Sequence, residues 1–485
     1  MKNALYQVAA LRALEADHAS QPLMQRAGEA IAKRARAKVK PDQKILVLAG
    51  PGNNGGDAWV AAEILRKAHY PVTVLAPVAN ASREAAAQRA ISAYVKAGGE
   101  VVMRAAQIGK HTYPLIIDGL FGIGLKRPPD GEFAAIIHAV NAKHGKSHIL
   151  AIDIPSGLDA DTGHAFQPAI LADETLTFIG LKPGLYTGDG VDLAGAIRLE
   201  PLGLKPADSG NHLLDTDCIA PPPRRNNTHK GSYGSVGVIG GAAGMIGAAL
   251  LAARAALHMG PGKVLLGLMA EDAIPVDPLH PEIILRRAHT LCQDIHVDAY
   301  AVGMGMGAVK PALLKGLLAK TTPLVIDADA LNAIAASTSL QKALQQSRAV
   351  RILTPHPGEA ARLLQTTTDA VQSDRIRAAQ ALARQYQAIT ILKGAGTVIA
   401  QPDGHYHLNT TGNPGMASGG MGDALAGMLA AFLAQGMTAL EAAQLAVTLH
   451  GAAADACLEH GMAPRGLTAS EVIFEARSLL NGGHV

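Results

Sequence analysis

Short, wholly apolar runs alternate along the chain with longer stretches in which apolar positions recur every three or four residues. Residues 4–37 have alanine-rich helical spacing. After them come Lys44–Leu48 (KILVL), Val72–Leu75, a helical stretch at Ser82–Lys96, then Leu115–Ile117 and Ile149–Ile152. The last two runs lead into aspartates, Asp118 and Asp153. A second series follows: Ser235–Ile239, Lys263–Leu268, Ala299–Val302, Leu324–Ile326, Arg351–Leu353 and Ile389–Leu392. Helices intervene, and three helical segments close the chain from about 420 to 480. Short apolar strands separated by amphipathic helices predict parallel sheets covered on both faces. Such sheets bind ligands beyond the carboxyl ends of their strands. The glycine-rich and aspartate-bearing turns of this chain fall there. No repeat of solenoid period is present.

Between the two series the periodicity stops. Pro206, His212 and the run Pro221-Pro222-Pro223-Arg224-Arg225 read as a stiff linker. The expected organisation is a first domain over 1–210, a linker over 211–225 and a second domain over 226–485. Both domains are expected to be α/β, the first with a Rossmann-like doubly wound sheet.

Composition narrows the function classes. Charged residues are 17% and apolar ones 48%, which supplies cores and argues against wholesale disorder. A net charge of +3 without a dense Lys/Arg run, and 3% aromatics, argue against nucleic acid as the partner. Cys218, Cys292 and Cys457 are too scattered for a disulfide framework or a CxxC metal site, so a reducing cytoplasm is expected. Arg12, Glu15 and Asp17 stand where a signal peptide needs an apolar core. Met245–Met259, interrupted by Arg254 and His258, and Ala424–Met437 are too short or too broken to span a bilayer. A soluble cytoplasmic protein is expected, without membrane or nucleic-acid partners and assembled as a homo-oligomer.

In the first half, Gly50-Pro51-Gly52-Asn53-Asn54-Gly55-Gly56-Asp57 follows a strand and opens a helix. Glycines let backbone approach a phosphate, and a helix N-terminus offers free N–H donors. The duller alternative is a tight turn with Asp57 as the helix cap. Asp118-Gly119-Leu120-Phe121-Gly122-Ile123-Gly124 and Asp153-Ile154-Pro155-Ser156-Gly157 end two further strands. Paired aspartates near a phosphate-binding turn suggest a cation site or acid–base chemistry. Either aspartate alone could equally be a cap.

GPGNNGGD, DGLFGIGL and AIDIPSGLDADTG, with Leu23-Met24-Gln25-Arg26-Ala27-Gly28, resemble the NAD(P)H-hydrate epimerase domain over about residues 1–210. The resemblance implies that Asn53, Asn54, Gly55, Gly56 and Asp57 hold a hydrated nucleotide. It implies the same for Gly122, Ile123, Gly124, Leu125, Lys126, Arg127 and Pro128. Asn54, Asp118 and Ser156 would coordinate a potassium ion, and Asp153 would contact the substrate as the acid–base group. Ala58, Ile123 and Phe133 stand where Gly, Thr and Tyr are usual; none removes an implied ligand, though Phe133 cannot supply a hydroxyl.

In the second half the densest motif is Asn409–Asp423 (NTTGNPGMASGGMGD), and six glycines fall in the window 409–427 just before an apolar helix. Ser418–Gly422 reads as an anion-cradling loop at a helix N-terminus. Asp423 would sit in the first turn and take a proton from a hydroxyl attacking a phosphate. The alternative is an aspartate that merely complements the helix dipole. Lys393-Gly394-Ala395-Gly396-Thr397 suits a nucleotide, although it also reads as a hairpin turn. His356, between two prolines in TPHPGE, is read equally as a site residue or as a structural one.

HKGSYGSVGVIGG, GMGMG, DADALN, LTPHPGE, LKGAGTVI and NTTGNPGMASGGMGD together resemble the ribokinase-like superfamily. Within it they are similar to the ADP/ATP-dependent NAD(P)H-hydrate dehydratases, over nearly all of 226–485. A ribokinase-like α/β fold is thereby implied. So are nucleotide contacts from Lys393, Gly394, Ala395, Gly396, Thr397 and Gly422, and substrate contacts from Ala248, Gly305, His356 and Asp423. The implied substrates are NADHX and NADPHX, in which water has added across a ring double bond of the reduced nicotinamide. Mg2+ would accompany ADP or ATP. The fused layout resembles members that use ADP. Two rivals are a ribokinase-like kinase that phosphorylates a small alcohol stably, and a nucleotide-sensing or protein-binding role for the first domain.

Overall fold

The computed structural model describes residues 3–78, 85–109, 111–214, 220–221, 223–271, 275–294 and 296–482. Ser82, Cys218 and Pro222 lie outside them. The chain divides into two compact units, Met1–Asn211 and His212–Val485.

The first unit holds strands β1 (Ile45–Ala49), β2 (Val72–Leu75), β3 (Glu100–Val102), β4 (Leu115–Gly119), β5 (His148–Ile152), β6 (Glu174–Phe178) and β7 (Ala196–Glu200). Its helices are α1 (Val8–Asp17), α2 (Leu23–Arg36), α3 (Asn53–Lys67), α4 (Ala85–Lys96), α5 (Gly131–Asn141) and the short α6 (Gly190–Leu193). The sheet order is β3-β2-β1-β4-β5-β6-β7, with every pairing parallel. Strand order reverses between β1 and β4, which opens a crevice at their carboxyl ends. Apolar clusters cover both faces, one built on β1, α2 and α3, the other on β4 and α5. Glu174 is a buried charge at the start of β6, held by Arg34, Lys38 and Arg198. Burial would raise its carboxyl, but Arg34 and Lys38 hold it down at about 2.

The second unit carries β8 (His212–Leu213), β9 (Ser235–Gly240), β10 (Lys263–Leu268), β11 (Ile284–Arg287), β12 (Ala299–Val302), β13 (Leu324–Ile326), β14 (Arg351–Leu353), β15 (Ile389–Leu392), β16 (Val398–Ala400) and β17 (Tyr406–Leu408). Its helices are α7 (Ile246–His258), α8 (Ala288–Leu291), α9 (Pro311–Leu318), α10 (Ala328–Ala335), α11 (Thr338–Gln345), α12 (Pro357–Leu364), α13 (Thr368–Ser373), α14 (Arg375–Tyr386), α15 (Met421–Ala434), α16 (Ala439–Glu459) and α17 (Ala469–Leu480). The sheet runs β11-β10-β9-β12-β13-β14-β15-β16-β17-β8. It is parallel through β15, and β16 and β17 then continue it as antiparallel strands. β8 pairs with β17, so the span read as a linker begins with an edge strand of this sheet. Arg224, farther along that span, lies over the Tyr233 ring at 4.1 Å and donates to the Gly260 carbonyl.

Among the described residues no helix is long and apolar enough to cross a membrane. The most apolar one, α15, is buried along nearly its whole length in the core of the second unit.

α15 lies along α7 because Gly427 lets two backbones meet. A Cβ at Gly427 would stand 2.0 Å from the Ala252 carbonyl oxygen and 3.0 Å from its Cα. Alanine would favour the helix by up to about 1 kcal/mol, but the obstacle is backbone and overpacking there costs about 1–3 kcal/mol. Gly427→Ala should therefore be destabilising. A thermal melt is expected to show the second unit's transition falling by several degrees.

Candidate active sites

The carboxyl ends of β1, β4 and β5 and the first helix α1 enclose a cavity of about 960 Å³ in the first unit. Asn53, Asn54, Asp57, Gly122, Ile123, Gly124, Leu125, Lys126, Arg127 and Asp153 line it. Gly55, Gly56 and Pro128 are not in its wall. The two glycines are packing residues: a Cβ on Gly55 would fall 1.9 Å from the Gly50 carbonyl oxygen, and one on Gly56 2.6 Å from the Met24 side chain. α3 opens at Asn53 with Gly52 as its cap, so Asp57 lies a turn inside the helix and is not the capping residue.

Beneath the cavity wall, Asp118 is fully buried within β4. It accepts from Ser156 N at 2.8 Å, Ser156 Oγ at 2.7 Å and Leu120 N at 3.2 Å. Ser156 Oγ in turn accepts from Phe121 N at 2.9 Å, and Asn54 Nδ2 donates to the Phe121 carbonyl at 2.9 Å. Asn54, Asp118 and Ser156 thus meet around one turn of backbone. Burial pushes the Asp118 carboxyl up to about 6, and the bonds from Ser156 and Leu120 only partly offset it.

Asp153 follows β5 with a left-handed φ of 64°. Its Oδ1 accepts from Lys182 Nζ and from Phe178 N at 3.0 Å. Lys182 is buried, and its ammonium also donates to Thr177 Oγ1 at 3.0 Å and Phe178 O at 2.8 Å. Asp57 and Glu15 face the same cavity. Burial raises both carboxyls, and each is raised further by Asp153; Glu15 raises Asp57 in addition.

In the second unit the functional side chains also stand at strand ends. Lys393, just past β15, donates to Asp327 Oδ1 at 2.6 Å. Asp327, just past β13, also accepts from Thr354 Oγ1 at 2.8 Å. Burial lowers the Lys393 ammonium, yet Asp327, Glu359 and Asp423 together hold it above its ordinary value. Lys393–Thr397 forms the hairpin between β15 and β16, closed by Thr397 Oγ1 donating to Gly394 O at 2.9 Å. The hairpin reading of KGAGT is therefore realised, with its lysine turned to the carboxylates.

His356 caps α12: its Nδ1 accepts from Gly358 N at 3.0 Å, and His356 N donates to Glu359 Oε2 at 2.8 Å. Burial, Lys393 and Arg362 hold the imidazole below its usual value. Ala248, in the first turn of α7, lies against Gly305, whose φ is 58°. A Cβ at Gly305 would be 3.1 Å from that of Ala248. Asp329 accepts from Gly307 N at 2.8 Å and ties the same glycine turn to α10.

Asp423 stands in the first turn of α15, after the left-handed Gly420 (φ 91°). A Cβ at Gly422 would sit 3.3 Å from Lys393 Nζ and 3.8 Å from Asp327 Oδ2, so the helix start faces the lysine–aspartate pair. Burial and Asp327 push the Asp423 carboxyl up to about 7, Lys393 pulls it down, and Asp329 adds to the rise. A partly ionised carboxylate at a helix N-terminus, beside a fixed ammonium, suits proton removal next to a bound phosphate.

Comparison with known proteins bears on both units. Residues 236–475 match the family described as NAD(P)H-hydrate dehydratase, and residues 20–184 match the family described as YjeF-related protein N-terminus. A protein of Escherichia coli (strain K12) described as "Bifunctional NAD(P)H-hydrate repair enzyme Nnr" is 36% identical over 475 residues, covering 95% of this chain and 89% of its own. This chain belongs to the bifunctional NAD(P)H-hydrate repair enzymes. A relative of the same description from Moorella thermoacetica is 39% identical, covering 89% of this chain and 87% of its own. Among solved structures, the "ADP/ATP-dependent NAD(P)H-hydrate dehydratase from Bacillus subtilis co-crystallized with ATP/Mg2+" matches with 32% identity and a TM-score of 0.50. That match covers 55% of this chain and 95% of the other. The repair enzyme accordingly joins an epimerase and a nucleotide-dependent dehydratase on one chain.

Several groups at the two sites of this repair enzyme carry no motif that marks them. Lys182 lies in Gly180-Leu181-Lys182-Pro183-Gly184, a turn after a strand too polar to be recognised. Glu15 and Arg12 of α1 have no periodic signal toward a cavity. His450 of α16 is buried, its Nε2 without a hydrogen-bond partner among the described residues. Burial, with the nearby Lys393 charge, lowers its imidazole to about 4. Asp327 and Glu359 stand inside quoted motifs, and only the structure shows them gathered on Lys393.

The Asp423 environment is open to direct measurement. Carbon-detected NMR of labelled aspartate should give Asp423 a midpoint near 7. In Lys393→Met, loss of the positive neighbour should move that midpoint upward.

Proposed function

We propose that residues 226–485 dehydrate the S form of NADHX and NADPHX through a transient phosphate ester, and that residues 1–210 supply that form by epimerising the R form. Residues 211–225 would join the two. The observation that carries the reading is Asp423, a carboxyl near 7 at a helix start that faces Lys393. Asp423 removes the proton from the ring hydroxyl as its oxygen attacks the terminal phosphate of the nucleotide. The ring nitrogen lone pair then expels phosphate, and loss of a ring proton restores the double bond. Phosphorylation matters because hydroxide is a poor leaving group. Water has a pKa of about 15.7 and a phosphate monoester a second pKa of about 6, a gain of roughly 10 units.

In this reading Lys393–Thr397 and Gly422 hold the nucleotide, with ADP the proposed donor and ATP the alternative. Ala248, Gly305 and His356 would place the hydrated ring. Magnesium binds through one or two carboxylates plus phosphate oxygens, and Asp327 and Glu359 beside Lys393 offer such donors. It would supply charge neutralisation on the transferred group.

The first site has a donor set that suits potassium. Asn54, Asp118 and Ser156 present hard oxygens, and no Lys or Arg pairs with the buried Asp118 among the described residues. A bound cation there would supply the charge that lets Asp118 ionise. Asn53–Asp57, Gly122–Pro128 and Asp153 would bind the substrate above it. The proposal includes a cytoplasmic location, in keeping with the free thiols Cys292 and Cys457. It includes self-association, for which the exposed Phe474 and Leu279 offer apolar contacts.

Absorbance recovery of reduced nicotinamide from mixed hydrate, with ADP and ATP supplied in turn, tests the second site. The rate should rise with pH through about 7, because Asp423 must lose its proton to act. Asp423→Asn should lower it by about 10²–10⁴-fold. A stable phosphorylated product without recovered absorbance would indicate an ordinary kinase instead.

A carboxyl whose folded value is raised to about 6 favours folding below its unfolded value, and this advantage is lost as pH rises through 6. Potassium should remove that loss. Replacing choline by potassium should leave the first unit's melting temperature unchanged at pH 5 and raise it by about 3 °C or more at pH 7.5. Asp118→Asn should abolish the response.

A further inference from the structure

Among the described residues three carboxyls face the cavity of the first unit, and only Asp153 has a cation built against it. All three donors of the Lys182 ammonium are in use, on Asp153, Thr177 and Phe178. Asp57 and Glu15 have no hydrogen bond or ion pair from a side chain among the described residues. The remaining charged groups around the cavity are Arg12 of α1, Arg89 of α4, and Lys126 and Arg127 of the loop after β4. None of these cations pairs with Asp57 among the described residues. Burial, with Asp153 and Glu15 nearby, therefore favours its protonated form.

Topology separates the two aspartates. α3, which carries Asp57, follows β1; Asp153 follows β5; and β1 and β5 flank β4 on either side. Strands lie about 4.8 Å apart, so β1 and β5 are roughly 10 Å apart. Both carboxyls line one cavity of about 960 Å³, which has room for a flat ring and a water. Paired carboxyls about 6.5–9.5 Å apart use this spacing to bring water to the opposite face of a sugar ring.

We propose that Asp57 and Asp153 act as an acid–base pair on the ring hydroxyl, with Lys182 the positioning residue that makes Asp153 the base of the two. This rests on the epimerase reading above. The carbon bearing the hydroxyl is bonded to the ring nitrogen. Asp57 gives its proton to the hydroxyl oxygen, and the C–O bond breaks with its electron pair leaving on water. The nitrogen lone pair forms a C=N bond, and that carbon becomes flat and loses its handedness. A water adds from the other face, the C=N pair returns to nitrogen, and the proton of the water passes to Asp153. One water leaves and one enters, nothing is oxidised or reduced, and solvent in the cavity carries the proton from Asp153 back to Asp57.

The test uses the full chain with mixed hydrate and saturating nucleotide. Absorbance recovers in an early phase, from the form dehydrated directly, and a late phase limited by epimerisation. The early phase is an internal control for folded enzyme. The late phase should have a bell-shaped pH profile. Asp57→Asn should slow it by about 10²-fold or more and remove the alkaline limb, whereas Asp57→Glu, which keeps a carboxyl, should retain that limb. Lys182→Met should lower kcat more than it raises KM, and Lys182→Arg, which keeps a cation against Asp153, should restore kcat. An unchanged alkaline limb in Asp57→Asn, or an unchanged kcat in Lys182→Met, overturns the proposal. A wild-type enzyme without a late phase, its R form left unconsumed, would overturn the epimerase reading itself.

Discussion

A parallel sheet brings every strand's carboxyl end to one edge, and both units place their chemistry on that edge. In the first, β1, β4, β5 and β6 lead into Asn53, Asp118, Asp153 and Lys182. In the second, β12, β13, β14 and β15 lead into Gly305, Asp327, His356 and Lys393. Residues tens of positions apart become neighbours because strand pairing leaves them no other place. The helix that completes the second site comes last in this order. α15 is packed down on α7 so that its first turn, with Asp423, faces what the strands have assembled.

The two edges handle buried charge differently. The first separates its carboxyls: Asp153 receives a buried ammonium, Asp118 receives three hydrogen-bond donors, and Asp57 receives neither among the described residues. The second concentrates them, with Asp327, Glu359 and Asp423 sharing one lysine. Burial raises carboxyls, and one shared cation cannot offset that for all of them. Glu359 and Asp423 both stay raised, and Asp423, at about 7, exchanges its proton near neutrality.

Legibility in the sequence follows burial. Val72–Leu75, Lys263–Leu268, Ala299–Val302, Leu324–Ile326, Arg351–Leu353 and Ile389–Leu392 are strands residue for residue as their apolar runs predict. β3 and β7 are exposed edges, and β6 reads Glu-Thr-Leu-Thr-Phe, so none carries an apolar run. β6 is nonetheless fully buried, because Arg34, Lys38 and Arg198 satisfy Glu174, and those partners lie far away in sequence. Of the antiparallel strands, β17 reads Tyr-His-Leu and carries no apolar run, whereas β16 (Val-Ile-Ala) is as apolar as β13 and differs from it only in its pairing. The sites divide likewise. Glycine-dense turns and strand-end aspartates are visible because their spacing is local. Lys182, Glu15 and His450 are not, since what distinguishes them is the neighbours that folding brings. Gly55 and Gly56 belong to a legible motif, yet the structure uses them for close packing.

The burial of α15 has a stereochemical consequence. Every residue from Ala424 to Ala434 is buried, so the helix is locked on all sides and the base at its start cannot swing. A fixed base and a fixed phosphate cradle define a single line along which a hydroxyl oxygen must lie. A carbinol of the other hand places its oxygen off that line, and a misplacement of about 1 Å is worth about 10²-fold in rate. The rigidity that aims Asp423 thereby makes the second site a filter for handedness, and a chain that carries such a filter gains from an epimerising domain beside it.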